Sequence, residues 1–344
     1  MRRVFNVIFV IFAVSACCGK RNTSTQVELV TPEVRYELSG GAGHYDYAPS
    51  FIKGDNDIIY GFLCENKDPF KIVDCIYLYK GIPTKEGYVW QPGTMILEPP
   101  AGGWDCCHIC DPDVREFHTV WKGEEYDWIM TYLGVDQWDC NHNQIGLAVS
   151  KCIEGPYVKF EGNPLISYEG RDKWGVGQST TIVKNDSTVL IYYHSTTSNG
   201  PYVRRELVLN NLDNIRIGEE KKVPYLSANS YPAVSGEKVF MVSEVVDTVY
   251  ERNMIPTWVG NCCVVSYVNL EEDMFASDNR WNEIGMITPQ LSGFPRNHNP
   301  GFLTDTKGNL TNEKELTVFF TTAQTGADWI WSYDLYSAVF KLND

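Results

Sequence analysis

The sequence predicts an all-β chain folded as a five-bladed β-propeller with four-stranded antiparallel blades. Three observations carry that prediction. The chain holds 20 Tyr, 15 Phe and 10 Trp, side chains that suit a pleated, half-buried surface better than a helix. Five segments open alike, with a small or polar residue, Pro or a substitute, a small or acidic residue, and then an apolar strand. These openings recur every 50 to 70 residues, roughly the length of a four-stranded blade with its loops. With 344 residues, 43% hydrophobic and 21% charged, the chain can bury a sizeable core.

In chain order, Arg2-Arg3 precede an apolar run from Val4 to Val14 that ends in Val14-Ser15-Ala16-Cys17. A charged start, a short apolar core and small residues mark a secretory signal too short to span a membrane as a mature helix. The tetrad resembles a bacterial lipobox, which implies cleavage after residue 16 and lipidation of Cys17. The alternative is an ordinary signal with a coincidental cysteine. Residues 17–25 then form a polar tether, and residues 26–344 one propeller domain in a lipid-anchored protein of the bacterial cell envelope.

The five openings are Tyr47-Ala48-Pro49-Ser50, Cys110-Asp111-Pro112-Asp113, Gly177-Gln178-Ser179-Thr180, Ser230-Tyr231-Pro232-Ala233 and His298-Asn299-Pro300-Gly301. Each leads through a turn to a second strand: Ile58–Leu63, Trp128–Tyr132, Val189–Tyr193, Val239–Ser243 and Leu316–Phe320. Gly54-Asp55 and Ser235-Gly236 fall where hairpin turns belong. The last blade lacks a strand, because the chain ends soon after Tyr333–Lys341. Val27–Val30 or Val34–Leu38 would supply it and close the ring, removing exposed edges. A two-layer β-sandwich is the competing fold, but it has no need of a fivefold opening motif.

In a propeller, the openings of the innermost strands gather at one mouth of the central channel. That places Asp46, Tyr47, Asp111, Asp113, Gln178, Ser230, Tyr231, His298 and Asn299 together, a set more natural to a binding funnel than to a core. A net charge of −15 repels phosphate backbones and argues against nucleic acid as a partner. No phosphate loop, Gly-x-Ser-x-Gly elbow or His-Glu-x-x-His is present.

Eleven cysteines in an exported chain suggest pairing. Cys64 with Cys75, and Cys140 with Cys152, are candidate staples across single loops. Cys106, Cys107, His108 and Cys110, with Cys140 and His142, have zinc-ligand chemistry. Against zinc, adjacent cysteines rarely share one tetrahedral ion, and no Cys-x-x-Cys is duplicated. Free buried thiols are the third reading, and vicinal Cys262-Cys263 reads as packing.

Through Asp111-Pro112-Asp113-Val114, through Gln144–Ser150 followed by Gly155-Pro156-Tyr157, and through the blade rhythm, the chain resembles the five-bladed propeller glycosidases. Glycoside hydrolase family 43 and its relatives are the nearest pattern, over roughly residues 40 to 342. The resemblance implies a carbohydrate substrate and an inverting mechanism. That mechanism uses a general-base Asp, a second Asp that tunes and orients, and a general-acid Glu. Two of the carboxyls should stand about 6.5–9.5 Å apart to admit a water. Residue by residue, the base position reads Ala48-Pro49, leaving Asp46 as a displaced base. The second-blade motif matches Asp113 and adds Asp111, and the third-blade Asp is replaced by Gln178.

Glu244 interrupts an apolar inner strand of the fourth blade and is the candidate acid, whereas Glu154 in Glu154-Gly155-Pro156 reads as a surface turn. Trp104, Trp138 and Trp174 flank the openings as candidate sugar platforms, with Gln178, His298 and Asn299 as further sugar ligands. His298 could alternatively hold a central ion. The hydrolysis itself needs no cofactor, although the channel is a place for Ca2+. A monomer is expected, touching the membrane only through its lipid. The competing function is a non-catalytic glycan-binding propeller that kept the funnel and lost the base. A protein-interaction scaffold ranks behind it because the mouth is so polar.

Overall fold

A computed structural model describes residues 29–39, 45–68, 70–85, 87–196, 202–226, 229–247, 260–323 and 333–342. Cys17 and the signal lie outside them. The strands form four hydrogen-bonded sheets, and the nine-stranded one divides into two meanders joined by a short parallel pairing of Phe51 and Ile52 with Leu303 and Thr304. The result is five antiparallel meanders.

Blade I comprises Asp46–Lys53, Ile59–Asn66, Asp74–Pro83 and the edge pieces Tyr88–Trp90 and Thr94–Leu97. Blade II comprises His108–Trp121, Glu124–Val135, Gln144–Ser150 and Val158–Lys159. Blade III comprises Val176–Asn185, Thr188–Ser195, Tyr202–Val208, Arg216–Ile217 and Lys221–Lys222. Blade IV comprises Ser230–Ser235, Lys238–Val245, Cys262–Val268 and Asn282–Ile287. Blade V comprises Arg296–Thr304, Glu315–Ala323 and Asp334–Lys341. Its fourth strand is Glu33–Ser39, antiparallel to Asp334–Lys341, so the more distal of the two expected N-terminal segments closes the ring.

The side-chain period of two explains why the strands read as unbroken apolar runs. Each blade is covered on both faces, so successive residues pack against successive neighbours. On blade III, Val189, Ile191 and Tyr193 join Phe117, Ile129 and Leu147 of blade II, while Leu190 and Tyr192 join Val239 and Met241 of blade IV. Phe240 and Val242 then meet Phe302, Val318 and Phe320 of blade V. Phe319 and Leu335 meet Phe51 and Leu63 of blade I. Phe62, Ile76 and Leu78 meet Val114, Met130 and Tyr132 of blade II, completing the circle. The innermost strands also touch in cyclic order.

The cysteines depart from expectation. Cys64 is bonded to Cys110, joining blade I to blade II, and Cys75 is a buried free thiol. Register explains it: Cys75 lies opposite Glu65, so Cys64 turns its sulfur to the other face of the sheet. Cys140 and Cys152 are both free and exposed. They sit beyond opposite ends of the strand Gln144–Ser150, about 20 Å of extended chain apart.

A candidate active site at the mouth of the channel

Four of the five innermost strands carry a bulge at the same place. The register breaks between Tyr47 and Ser50, Cys110 and Asp113, Gly177 and Thr180, and His298 and Gly301. Each break sets a pair (Ala48-Pro49, Asp111-Pro112, Gln178-Ser179 or Asn299-Pro300) opposite a single residue of the next strand, so that one residue is inserted. The first residue of three pairs is left-handed, with φ of 46° at Asp111, 53° at Gln178 and 45° at Asn299. In blade IV, Asn229 (φ 53°) takes the same conformation just before Ser230. Asp and Asn tolerate that region better than most residues because their short polar side chains bond locally. The bulged pairs turn inward, and one cavity is lined by Pro49, Asp111, Pro112, Gln178, Asn229 and Asn299, with Ser179, Thr180, Ser230, Tyr231 and Pro300. Asn229 was not among the expected mouth residues. The signal was Asn229-Ser230 standing where the third blade has Gln178-Ser179.

Asp111 is the one carboxylate among those cavity-lining residues. Burial, then the charge of Asp74, raises its pKa to about 7. Gln178 points its Oε1 into buried space without a partner. Glu244 lies at the end of the second strand of blade IV. It reaches the mouth from behind: Asn229 Nδ2 donates to its Oε2 at 2.5 Å, the Gly260 N–H to Oε1 at 2.9 Å and the Asn299 N–H to Oε2 at 3.4 Å. It thus braces two members of the mouth and is itself almost buried.

Other expected residues fall elsewhere. Asp113 points away from the cavity into a hub that ties four blades together. Its Oδ1 accepts from Ser50 (3.1 Å) and Tyr231 (3.1 Å) and lies 3.0 Å from Arg115 Nη2. Its Oδ2 takes the Thr181 N–H at 2.7 Å and the Thr181 hydroxyl at 2.5 Å. With every lone pair engaged, it has none for a substrate. Asp46 is fully buried at the seam of blades I and V, with both oxygens unpartnered. Burial, then Glu65 and Asp334, pushes its pKa well above the usual carboxylate range. It stands two residues before the bulge that would have turned it inward, and it is not part of the mouth. Glu154 is exposed and paired with Lys80 at 2.7 Å.

His298 is buried beside the mouth, its Nδ1 3.0 Å from Asn299 Oδ1 and its ring 4.6 Å from that of Tyr333. Burial and the nearby Arg296 hold its pKa far down, so the ring is neutral. Tyr47, Tyr45 and Tyr333 form an aromatic cluster with centroids 5.4 to 5.9 Å apart. Trp174, half-buried, packs on His194 at 4.9 Å beside the Cys64–Cys110 bridge. Trp104 is spent inside blade II, stacked on Tyr132 at 5.7 Å and pressed over Gly134 and Gly146. Trp138 is 58% exposed on the rim. Among the described residues, no group of three or more His, Cys, Asp and Glu side chains is arranged to hold a metal. The mouth's single carboxylate is likewise a poor match to the several hard oxygen ligands that Ca2+ takes.

No family model matches the sequence, and no curated protein does. Solved structures do match in fold. A family 117 glycoside hydrolase from the marine bacterium Zobellia galactanivorans superposes with a TM-score of 0.58 at 12% identity, covering 91% of each chain. An α-L-arabinofuranosidase from Podospora anserina, solved with cellotriose, gives 0.57 at 11% identity over 92% of this chain and 98% of its own. A β-xylosidase gives 0.58 at 16% identity over 90% and 96%. At such identities the likeness is one of fold.

Proposed function

We propose that the protein is a glycoside hydrolase whose reaction takes place at the mouth of the channel. The observation that carries the reading is Asp111, set by a strained bulge into a cavity lined by all five blades, with a pKa of about 7. A carboxyl that is partly protonated near neutral pH suits proton donation to a leaving glycosidic oxygen, or proton removal from a water. Glu244, fixed by Asn229, Asn299 and Gly260, is the second carboxylate. It supplies negative charge beside an oxocarbenium-like transition state. Gln178, Asn229 and Asn299 present amides to sugar hydroxyls, which donate and accept as amides do. The shared fold with glycoside hydrolases raises the prior without assigning a reaction.

A second reading is favoured by the same ring. Of the five equivalent positions around the mouth, Ala48, Gln178, Asn229 and Asn299 carry no carboxylate, as a glycan-binding propeller that lost hydrolysis would. Hydrolysis of aryl arabinofuranosides, xylosides and galactosides decides between the two. Turnover by the wild type that is lost in Asp111→Asn and reduced by orders of magnitude in Glu244→Gln supports the enzyme. No turnover, with sugar binding measurable by calorimetry, supports the binding protein.

The proposal includes export and a lipid anchor at Cys17, supported by the apolar run and the Val14–Cys17 tetrad. Mass spectrometry of the membrane fraction, with Cys17→Ser as the control, tests it.

A further inference from the structure

The rim where blades I and II meet holds polar and aromatic groups that the mouth does not use. His108 opens the innermost strand of blade II, three residues before Asp111, and is 2% exposed. Its Nδ1 lies 3.1 Å from Asp74 Oδ2, and the other Asp74 oxygen accepts the Tyr45 hydroxyl. The Asp74 backbone N–H is also 3.4 Å from Nδ1. The ring is therefore oriented through one nitrogen, whichever tautomer it adopts. The other nitrogen, Nε2, is buried and without a partner. Buried polar atoms are nearly always satisfied, so an orphan on an oriented ring marks a place for a ligand atom.

Two exposed aromatics stand at the same rim. The Trp138 ring lies 5.3 Å from the His108 ring, edge to face, on the loop before Gln144. Lys71 sits 4.7 Å from the Trp138 centroid, and its neighbour Phe70 is 95% exposed. Asp74 is also the charge that acts on Asp111, so the group lies close to the mouth.

We propose that this rim is a second sugar subsite, with Trp138 as the stacking platform and His108 Nε2 as the hydrogen-bonding anchor for one hydroxyl. A hydroxyl both donates and accepts, so it satisfies Nε2 in either tautomer, whereas a carbonyl or an ammonium satisfies only one. An aromatic face beside a polar anchor fits a sugar ring, apolar on its C–H face and polar at its edge. The inference rests on reading the mouth as a sugar site. It makes the ligand an oligosaccharide, with one unit in the mouth and the next on the rim.

The test is calorimetry on the full chain with neutral pentose and hexose trisaccharides and their monosaccharides, run beside aryl glycoside hydrolysis. The wild type is expected to bind one trisaccharide about tenfold more tightly than its monosaccharide, the scale of one aromatic contact with a hydrogen bond. Trp138→Ala, an exposed change that leaves the core intact, should erase that preference. His108→Gln should weaken the trisaccharide alone, its melting curve showing that it folds. If it does not fold, Trp138→Ala decides. A wild type without trisaccharide preference, or a preference that survives Trp138→Ala, overturns the subsite. Absence of aryl glycoside turnover, with the preference present and dependent on Trp138, sinks the hydrolase and leaves the subsite standing.

Discussion

Asp111 and Asp113 lie two residues apart on one strand, yet opposite environments give them opposite roles. An unfolded aspartate titrates near 3.9, whereas folded Asp111 titrates at about 7. Between those values the folded chain keeps a proton that the unfolded chain releases. Stability from this group is therefore fully present below the lower value, falls as pH rises through the window, and stays level above about 7. About three pH units set the ceiling on the order of 4 kcal/mol. Asp111→Asn removes the titration, so the variant should gain stability relative to wild type as pH rises from about 4 to 8. Urea denaturation across that range checks it, and an offset independent of pH would refute it. Asp113→Asn should behave differently. Its partners Arg115, Thr181, Ser50 and Tyr231 are buried, and breaking a buried charge pair costs about 3–5 kcal/mol. The variant should lose that stability at neutral pH, and a loss under 1 kcal/mol (roughly an exposed pair's worth) would contradict the hub.

At the scale of elements, the bulge and the bridge beside it set Asp111 in place. The Cys64–Cys110 bond closes a loop with a sequence separation of 46. A loop of that length constrains the unfolded chain by about 4 kcal/mol in the entropic account. Cys64→Ser with Cys110→Ser should therefore lower the denaturation midpoint markedly, and an unchanged midpoint in non-reducing urea would show that the bridge contributes nothing. The elements themselves were legible in sequence, because each blade repeats an opening, a turn and an apolar run, and a strand sandwiched between neighbours has no polar face to confuse the pattern. Which side chains face the mouth was not. One inserted residue reverses the facing of everything after it, so Asp46, Asp111 and Asp113 read alike as opening carboxylates while only Asp111 sits in a bulged pair. Asn229 was missed because blade IV has no such insertion and its left-handed residue falls just before the strand opening, and Cys64 was matched to Cys75 because register decides which face a sulfur takes.

The molecule as a whole is a ring that must close on itself, and it closes at blade V and its junction with blade I. Glu33–Ser39 completes blade V against Asp334–Lys341. Phe51 and Phe319 stack at 3.7 Å across the junction of blades V and I, and Gly301 approaches Pro49 so closely that an added Cβ would stand 2.5 Å from its carbonyl oxygen. Three separate contacts thus hold one seam, each testable alone. Phe319→Ala should cost about 3–5 kcal/mol as a buried aromatic truncation. Gly301→Ala should force the two innermost strands apart and displace the bulges on either side, lowering turnover or sugar binding along with stability. Deleting residues 29–39 should be the most damaging, because it uncovers the edge of Asp334–Lys341, and an uncovered edge strand pairs with other copies. The truncated chain is expected to elute as aggregate in size-exclusion chromatography and to gain thioflavin-positive material with time. If it remained monomeric with an unshifted melting curve, the N-terminal strand would be an ornament on a ring already closed by the V–I core, and the stability of the mouth would have to be sought in the Asp113–Arg115 hub alone.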